Sequence, residues 1–133
     1  MKFRYKKYGK GVLRPVIPIE IIHKNTAIPY EVLVDSGADM CIFDAQIAGI
    51  LGIDLKKAEK REVAGITGNT EFYYLYPIVI NVGGWTHKTT VGFLPSIGRF
   101  GYGVVGQQGF FDIFIVRFDL VKEEIEIKRR PPS

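Results

Sequence analysis

Residues able to do chemistry concentrate in one run, Val32-Leu-Val-Asp-Ser-Gly-Ala-Asp39. Three consecutive apolar residues predict a strand buried on both faces, ending in a carboxylate, a small hydroxyl and a glycine. Burial of that end makes an unpaired charge on Asp35 costly, so the carboxylate needs hydrogen-bond donors or a partner sharing a proton. Ser36 supplies a hydroxyl, and Gly37 allows a tight turn that exposes its N–H. Two such carboxylates side by side cannot both ionise. One then acts as base on a water while the other protonates a carbonyl. The plain alternative for a bare Asp-Ser-Gly is an Asx-turn after a strand.

The elements that must position this run read as mostly β. Met1–Lys6 alternates apolar and basic residues, the pattern of an exposed strand, and Gly9-Lys-Gly11 breaks it. Val12–Ile22 is rich in β-branched residues, with Pro15 and Pro18 predicting an edge or bulged strand. His23–Thr26 reads as a turn and Tyr30–Val34 as the next strand. Asp44–Leu51 is the one helical stretch, with Asp44 as cap and Ile47, Ile50 and Leu51 expected on one face. Val63–Ile66 and Thr70–Val82 flank the Thr67-Gly68-Asn69 turn, and Gly83-Gly84 predicts a second hairpin leading into Trp85–Leu94. A short strand over Val104–Gly106, one helical turn over Gln107–Asp112, and strands Phe114–Phe118 and Glu124–Lys128 close the chain. Many short strands, little helix and frequent glycine turns predict a mostly-β barrel or sandwich.

The run Leu33–Asp39 resembles the active-site motif of retropepsin-like aspartic peptidases. Two further features stand in that family's order. Val63–Asn69, about 30 residues after the aspartate, resembles the flap hairpin that folds over a bound peptide. Val104-Val-Gly106 followed by Gln107–Asp112 resembles the apolar-apolar-Gly element and short helix late in the fold. The resemblance spans residues 12–128, between a basic N-terminal segment (1–11) and a basic, Pro-containing tail (129–133). It implies a closed β-barrel lobe acting as a homodimer, with Asp35 catalytic and Ser36, Gly37 and Ala38 forming the active-site loop. Asp39, Gly65, Ile66, Thr67, Val105, Gly106 and Gln107 are the implied substrate-binding positions. Only one Asp-(Ser/Thr)-Gly is present, so a dyad requires a second copy. Gln107 departs from the family's frequent Arg, which pairs with the acid at the Asp39 position; Gln hydrogen-bonds but does not neutralise. The implied activity is endopeptidase cleavage of a peptide or protein, with no metal or organic cofactor. The alternative is a non-catalytic dimeric module of the same fold that binds peptides or scaffolds an assembly.

Composition agrees with a single folded domain. The chain has 133 residues, 47% hydrophobic and 24% charged. Cys41 is the one cysteine, which excludes an intrachain disulfide and a Cys-built zinc site. No signal-peptide pattern follows Met1 and no apolar run is long enough to cross a bilayer, so a cytoplasmic location without membrane attachment is expected. The net charge of +4 suggests a nucleic-acid partner until it is divided by position. Residues 1–14 hold six Lys/Arg and residues 128–133 three more, with no acid in either. The body between has nine basic against fourteen acidic residues, a net of −5. Nucleic acid is therefore disfavoured, and the Phe3–Tyr8 segment is expected at a strand edge, a dimer interface or a solvated tail. His23 and His87 lie in or beside turns and too far apart to form a metal pair. Cys41 is expected to be buried and inert.

Overall fold

The computed structural model describes residues 1–63, 71–95, 97 and 101–131. Twelve strands are described: β1 (Lys2–Arg4), β2 (Lys6–Lys7), β3 (Leu13–Arg14), β4 (Val16–His23), β5 (Thr26–Val34), β6 (Ile42–Asp44), β7 (Glu59–Val63), β8 (Glu71–Val82), β9 (Trp85–Leu94), β10 (Gly103–Val105), β11 (Phe114–Asp119) and β12 (Glu124–Arg129). Among the described residues one short α-helix, α1 (Ala45–Ile50), follows β6, and a 3-10 turn spans Leu55–Lys57. The chain is thus mostly β, and its centre is a closed six-stranded barrel in the order β4-β5-β10-β6-β9-β8, with β8 returning to β4.

Period-2 burial builds the barrel. Ile17, Ile19 and Ile21 of β4, Val32 and Val34 of β5, and Ile78, Ile80 and Val82 of β8 all point inward and are buried. Phe43, Phe93, Phe110 and Phe114 complete the core with essentially no exposure. Each such side chain contributes roughly 1.5–3 kcal/mol by leaving water. Pro18 faces Glu31 of β5, at a part of β4 that lies outside the β4–β8 pairing of Glu20–Ile22. A missing N–H is harmless there, as expected of an edge position.

Strand order carries the functional consequence. β5 and β6 are consecutive in sequence, yet β10 lies between them, parallel to β5 and antiparallel to β6. The segment from Asp35 to Cys41 must therefore cross the end of β10, against Gly106. The N-terminal segment is also built into the fold. β1 pairs with β12, which pairs with β11 in a second, three-stranded sheet.

Three expectations change. Val32–Val34 is not buried on both faces: Val32 and Val34 are buried but Leu33 is half-exposed. The helix turns Ala48 and Leu51 inward, while Ile50 is 63% exposed. Ile50 lies two residues from Ala48, about 200° around the helix, so it cannot share that face. Gln107–Asp112 forms wide turns rather than a helical turn, with Phe111 N–H donating to the Gly106 carbonyl (3.2 Å) and Asp112 N–H to the Gln107 carbonyl (3.1 Å). Gly109 sits there at φ +98°, and a Cβ at that position would stand 2.4 Å from Thr89 Oγ1. Both the conformation and the space require glycine.

Candidate active site

Asp35 is the first residue past β5, and its N–H donates to the Val105 carbonyl (3.0 Å), extending the parallel β5–β10 ladder by one bond. The chain then turns. Gly37 N–H donates to Asp35 Oδ1 (2.9 Å) and Ala38 N–H to the Asp35 carbonyl (3.2 Å). This is an Asx-turn, and a residue with a Cβ at position 37 would approach that carboxylate oxygen to 3.3 Å. The carboxylate is half-buried rather than buried, because the strand end opens to solvent within one copy of the chain. The turn engages one carboxylate oxygen, and the other accepts no hydrogen bond among the described residues.

The loop is also held from the far side. Gln107 N–H donates to the Ala38 carbonyl (2.8 Å) and Gln108 N–H to the Asp39 carbonyl (2.9 Å). The Gln107 side-chain amide donates to the Ser36 carbonyl. Residues 36–39 and 107–108 are thereby laced together across 71 positions of sequence. Gly106 is the pivot. A Cβ there would stand 2.4 Å from the Ala38 carbonyl oxygen and 2.6 Å from that of Met40. Only a bare backbone lets the loop lie this close over the end of β10.

The sequence-predicted residues divide accordingly. Asp35, Ser36, Gly37, Ala38, Asp39, Gly106 and Gln107 come together in one constellation. Ser36, Gly37, Asp39 and Gln107 are exposed, and Ala38 is half-buried. Val105 is fully buried and faces the core, so it reaches the loop through its carbonyl alone. Gln107 meets the Ser36 carbonyl rather than Asp39, whose carboxylate makes no ion pair among the described residues. Gly65, Ile66 and Thr67 lie outside the described residues. The arms that lead to them, β7 and β8, pair from Glu59–Leu75 to Val63–Glu71.

Sequence reasoning missed the supports behind the loop. Tyr30 OH accepts the Asp44 N–H (3.1 Å), and its ring lies 5.2 Å from that of Phe43. Burial pushes the Tyr30 phenol up to about 12, so it stays protonated. Asp44 in turn caps α1 by accepting the Gln46 N–H (3.0 Å). Gln108 forms an isolated parallel bridge with Met40. The one signal for it was its place directly after Val-Val-Gly-Gln. Cys41 is buried, with its thiol pushed up to about 11 by burial, which makes it a poor nucleophile. His87 packs on Phe114 with Nε2 at 3.1 Å from the Gly109 carbonyl, and the described residues contain no cluster of three or more His, Cys, Asp or Glu placed to hold a metal ion.

No protein-family model matches the chain, and no curated protein matches it in sequence. Among solved structures, a retropepsin-like aspartic protease from Rickettsia conorii superposes with a TM-score of 0.63. The match covers 96% of this chain and 98% of that one at 19% identity, a likeness of fold. Among the described residues, no helix is long and apolar enough to cross a membrane.

Proposed function

We propose that the chain is one half of a dimeric aspartic endopeptidase. The observation that carries this reading is the placement of Asp35. It is a half-exposed carboxylate at the end of a barrel strand, in a loop held by its own Asx-turn on one side and by Gln107 and Gln108 on the other. The fold shared with a retropepsin-like protease supports it.

In this reading the Asp35 carboxylates of two copies meet and share one proton. The ionised carboxylate takes a proton from water as the water attacks the peptide carbonyl carbon. The protonated one donates to the carbonyl oxygen, giving a neutral tetrahedral diol. Collapse of the diol returns a proton to the leaving amine and regenerates the shared proton. Ser36, with its hydroxyl unpartnered among the described residues, reaches toward the other copy's loop. Gly37 presents backbone to the peptide, Asp39 stands toward its ends, and Gly65, Ile66 and Thr67 belong to the covering flap. The peptide is bound in extended form.

Purified protein incubated with an unfolded protein substrate across acidic to neutral pH tests this. Cleavage is expected, and Asp35→Asn should abolish it while leaving the circular dichroism spectrum unchanged. Full activity in Asp35→Asn refutes the mechanism. A second reading, a peptide-binding module without turnover, is favoured by the neutral Gln107 and by the Asp39 carboxylate, which has no ion pair among the described residues. It predicts that a statine-containing peptide binds no more tightly than its plain analogue, since only a catalytic dyad prefers the transition-state mimic.

A further inference from the structure

Gly109 follows Gln107 and Gln108, the pair that laces the Asp35 loop, and its backbone is gripped on three sides. Its N–H donates to Asp112 Oδ1 (3.0 Å). A Cβ on it would stand 2.4 Å from Thr89 Oγ1 and 3.2 Å from Cys41 Sγ, so the bare backbone lies close against β9. Its carbonyl meets Nε2 of His87 at 3.1 Å. His87 and Thr89 are alternate residues of β9 and present one face to this turn. A carbonyl oxygen only accepts, so the His87 proton sits on Nε2 and the neutral ring leaves Nδ1 as a bare acceptor. Among the described residues, that Nδ1 is the one buried side-chain nitrogen or oxygen without a hydrogen-bond partner. Folded proteins rarely leave such an atom unsatisfied. Here it lies directly behind the turn that carries the site.

We propose that His87 is a positioning residue: neutral, it holds the Gly109 carbonyl and, through Gln108 and Gln107, the Asp35 loop; protonated, it lets them go. The inference rests on the peptidase reading above and gives that site a proton-controlled support. The second proton must go onto Nδ1, where no acceptor stands among the described residues. The ring then has to turn toward water to hydrate its new N–H and its charge, which withdraws Nε2 from Gly109. The surroundings set the pH at which this happens. Burial is the largest influence and holds His87 below its ordinary 6.5. The hydrogen bond to Gly109 and the Asp112 carboxylate of the turn work against burial, and the Arg129 guanidinium of β12 works with it. The other neighbours are uncharged: the Phe114 ring of β11 at 5.4 Å, Ile80 paired with His87 from β8, and the Cys41 thiol, pushed up to about 11. Once Gly109 is released, the Gln107 and Gln108 N–H donors to the Ala38 and Asp39 carbonyls lose their fixed base.

Proton and nitrogen NMR of the full chain tests the coupling without any substrate. At neutral pH the His87 ring should show the Nε2–H tautomer. As pH falls, the Gln107 and Gln108 amide signals should shift with the midpoint of the His87 ring itself. That component should vanish in His87→Gln, whose side-chain amide can donate to Gly109 and takes up no proton. The Nδ1–H tautomer, or Gln107 and Gln108 amides that ignore the His87 titration, overturns the proposal. Kinetics on a peptide substrate, at pH values where circular dichroism shows a folded chain, supplies the positioning readout. His87→Leu has no donor and should lose roughly 10- to 100-fold in kcat at neutral pH, and His87→Gln should restore most of it. The acid limb of kcat should lie at lower pH in His87→Gln than in wild type. Superimposable pH profiles would mean a merely structural role and overturn the proposal, and this comparison stands even where His87→Leu fails to fold. Coupled amide shifts in a wild-type chain that cleaves no peptide overturn the peptidase reading and leave the hold of His87 on the loop standing.

Discussion

Replacing Gly106 by alanine should be severely destabilising, although it adds one methyl group. The new Cβ would lie 2.4 Å from the Ala38 carbonyl oxygen, 2.6 Å from that of Met40 and 2.9 Å from the Ala38 carbonyl carbon. All three are backbone atoms, so no side-chain rotation relieves the overlap. The 38–40 segment must lift off the end of β10 by close to an ångström. Overpacking of this kind costs about 1–3 kcal/mol. Lifting also stretches the Gln107–Ala38 and Gln108–Asp39 hydrogen bonds, now 2.8 and 2.9 Å, at about 1 kcal/mol each. The expected loss is therefore about 3 kcal/mol, or on the order of 10 °C in Tm for a chain of this size. Urea unfolding of Gly106→Ala beside Gly49→Ala gives an internal control. Gly49 lies within α1 and a Cβ there meets nothing within 4 Å, so alanine should stabilise by roughly 0.5–1 kcal/mol. The same chemical change should thus have opposite signs at the two sites. The Asp35 loop moves with residues 38–40, so proteolysis should fall further than stability alone requires. Equal midpoints for the two variants would refute the close-approach argument.

Two further perturbations probe the supports of the site. Tyr30→Phe leaves the Asp44 N–H without its acceptor at the start of α1 and should cost about 1–2 kcal/mol in chemical unfolding; an unchanged midpoint would mean that water replaces the phenol. Burial holds His87 below its ordinary value of 6.5, and its buried Nδ1 has no partner among the described residues. The unfolded chain then binds the proton more readily than the folded one. The His87 contribution is therefore complete above pH 6.5 and shrinks as pH falls through the folded value. Wild-type stability should decline more steeply below pH 6.5 than that of His87→Gln, and parallel curves would show that His87 does not set the acid limb.

What the sequence determined is local. Alternation of Ile17, Ile19 and Ile21 marks a strand because side chains there alternate at period two, whatever the partner. Asp35-Ser-Gly37 writes its own turn, since the carboxylate and the Gly37 N–H are two residues apart. Asp44 caps α1 for the same reason. These signals depend on neighbours within a few residues, and so did the placement of the catalytic candidate.

Tertiary structure decided everything that needed a distant partner. Insertion of β10 between β5 and β6 drives the Asp35 loop over Gly106, and no pattern near either residue announces it. Gln107 satisfies the Ser36 carbonyl rather than Asp39 because strand order puts that acceptor within reach of its amide. Ile50 lies outward because the barrel meets α1 at Ala48 and Leu51. The basic N-terminal segment, ambiguous between tail and strand, pairs with β12 at one edge of the three-stranded sheet. Composition and spacing name the groups that can react. Strand order decides which of them meet, because hydrogen bonds and close backbone approach are set by proximity in space rather than along the chain.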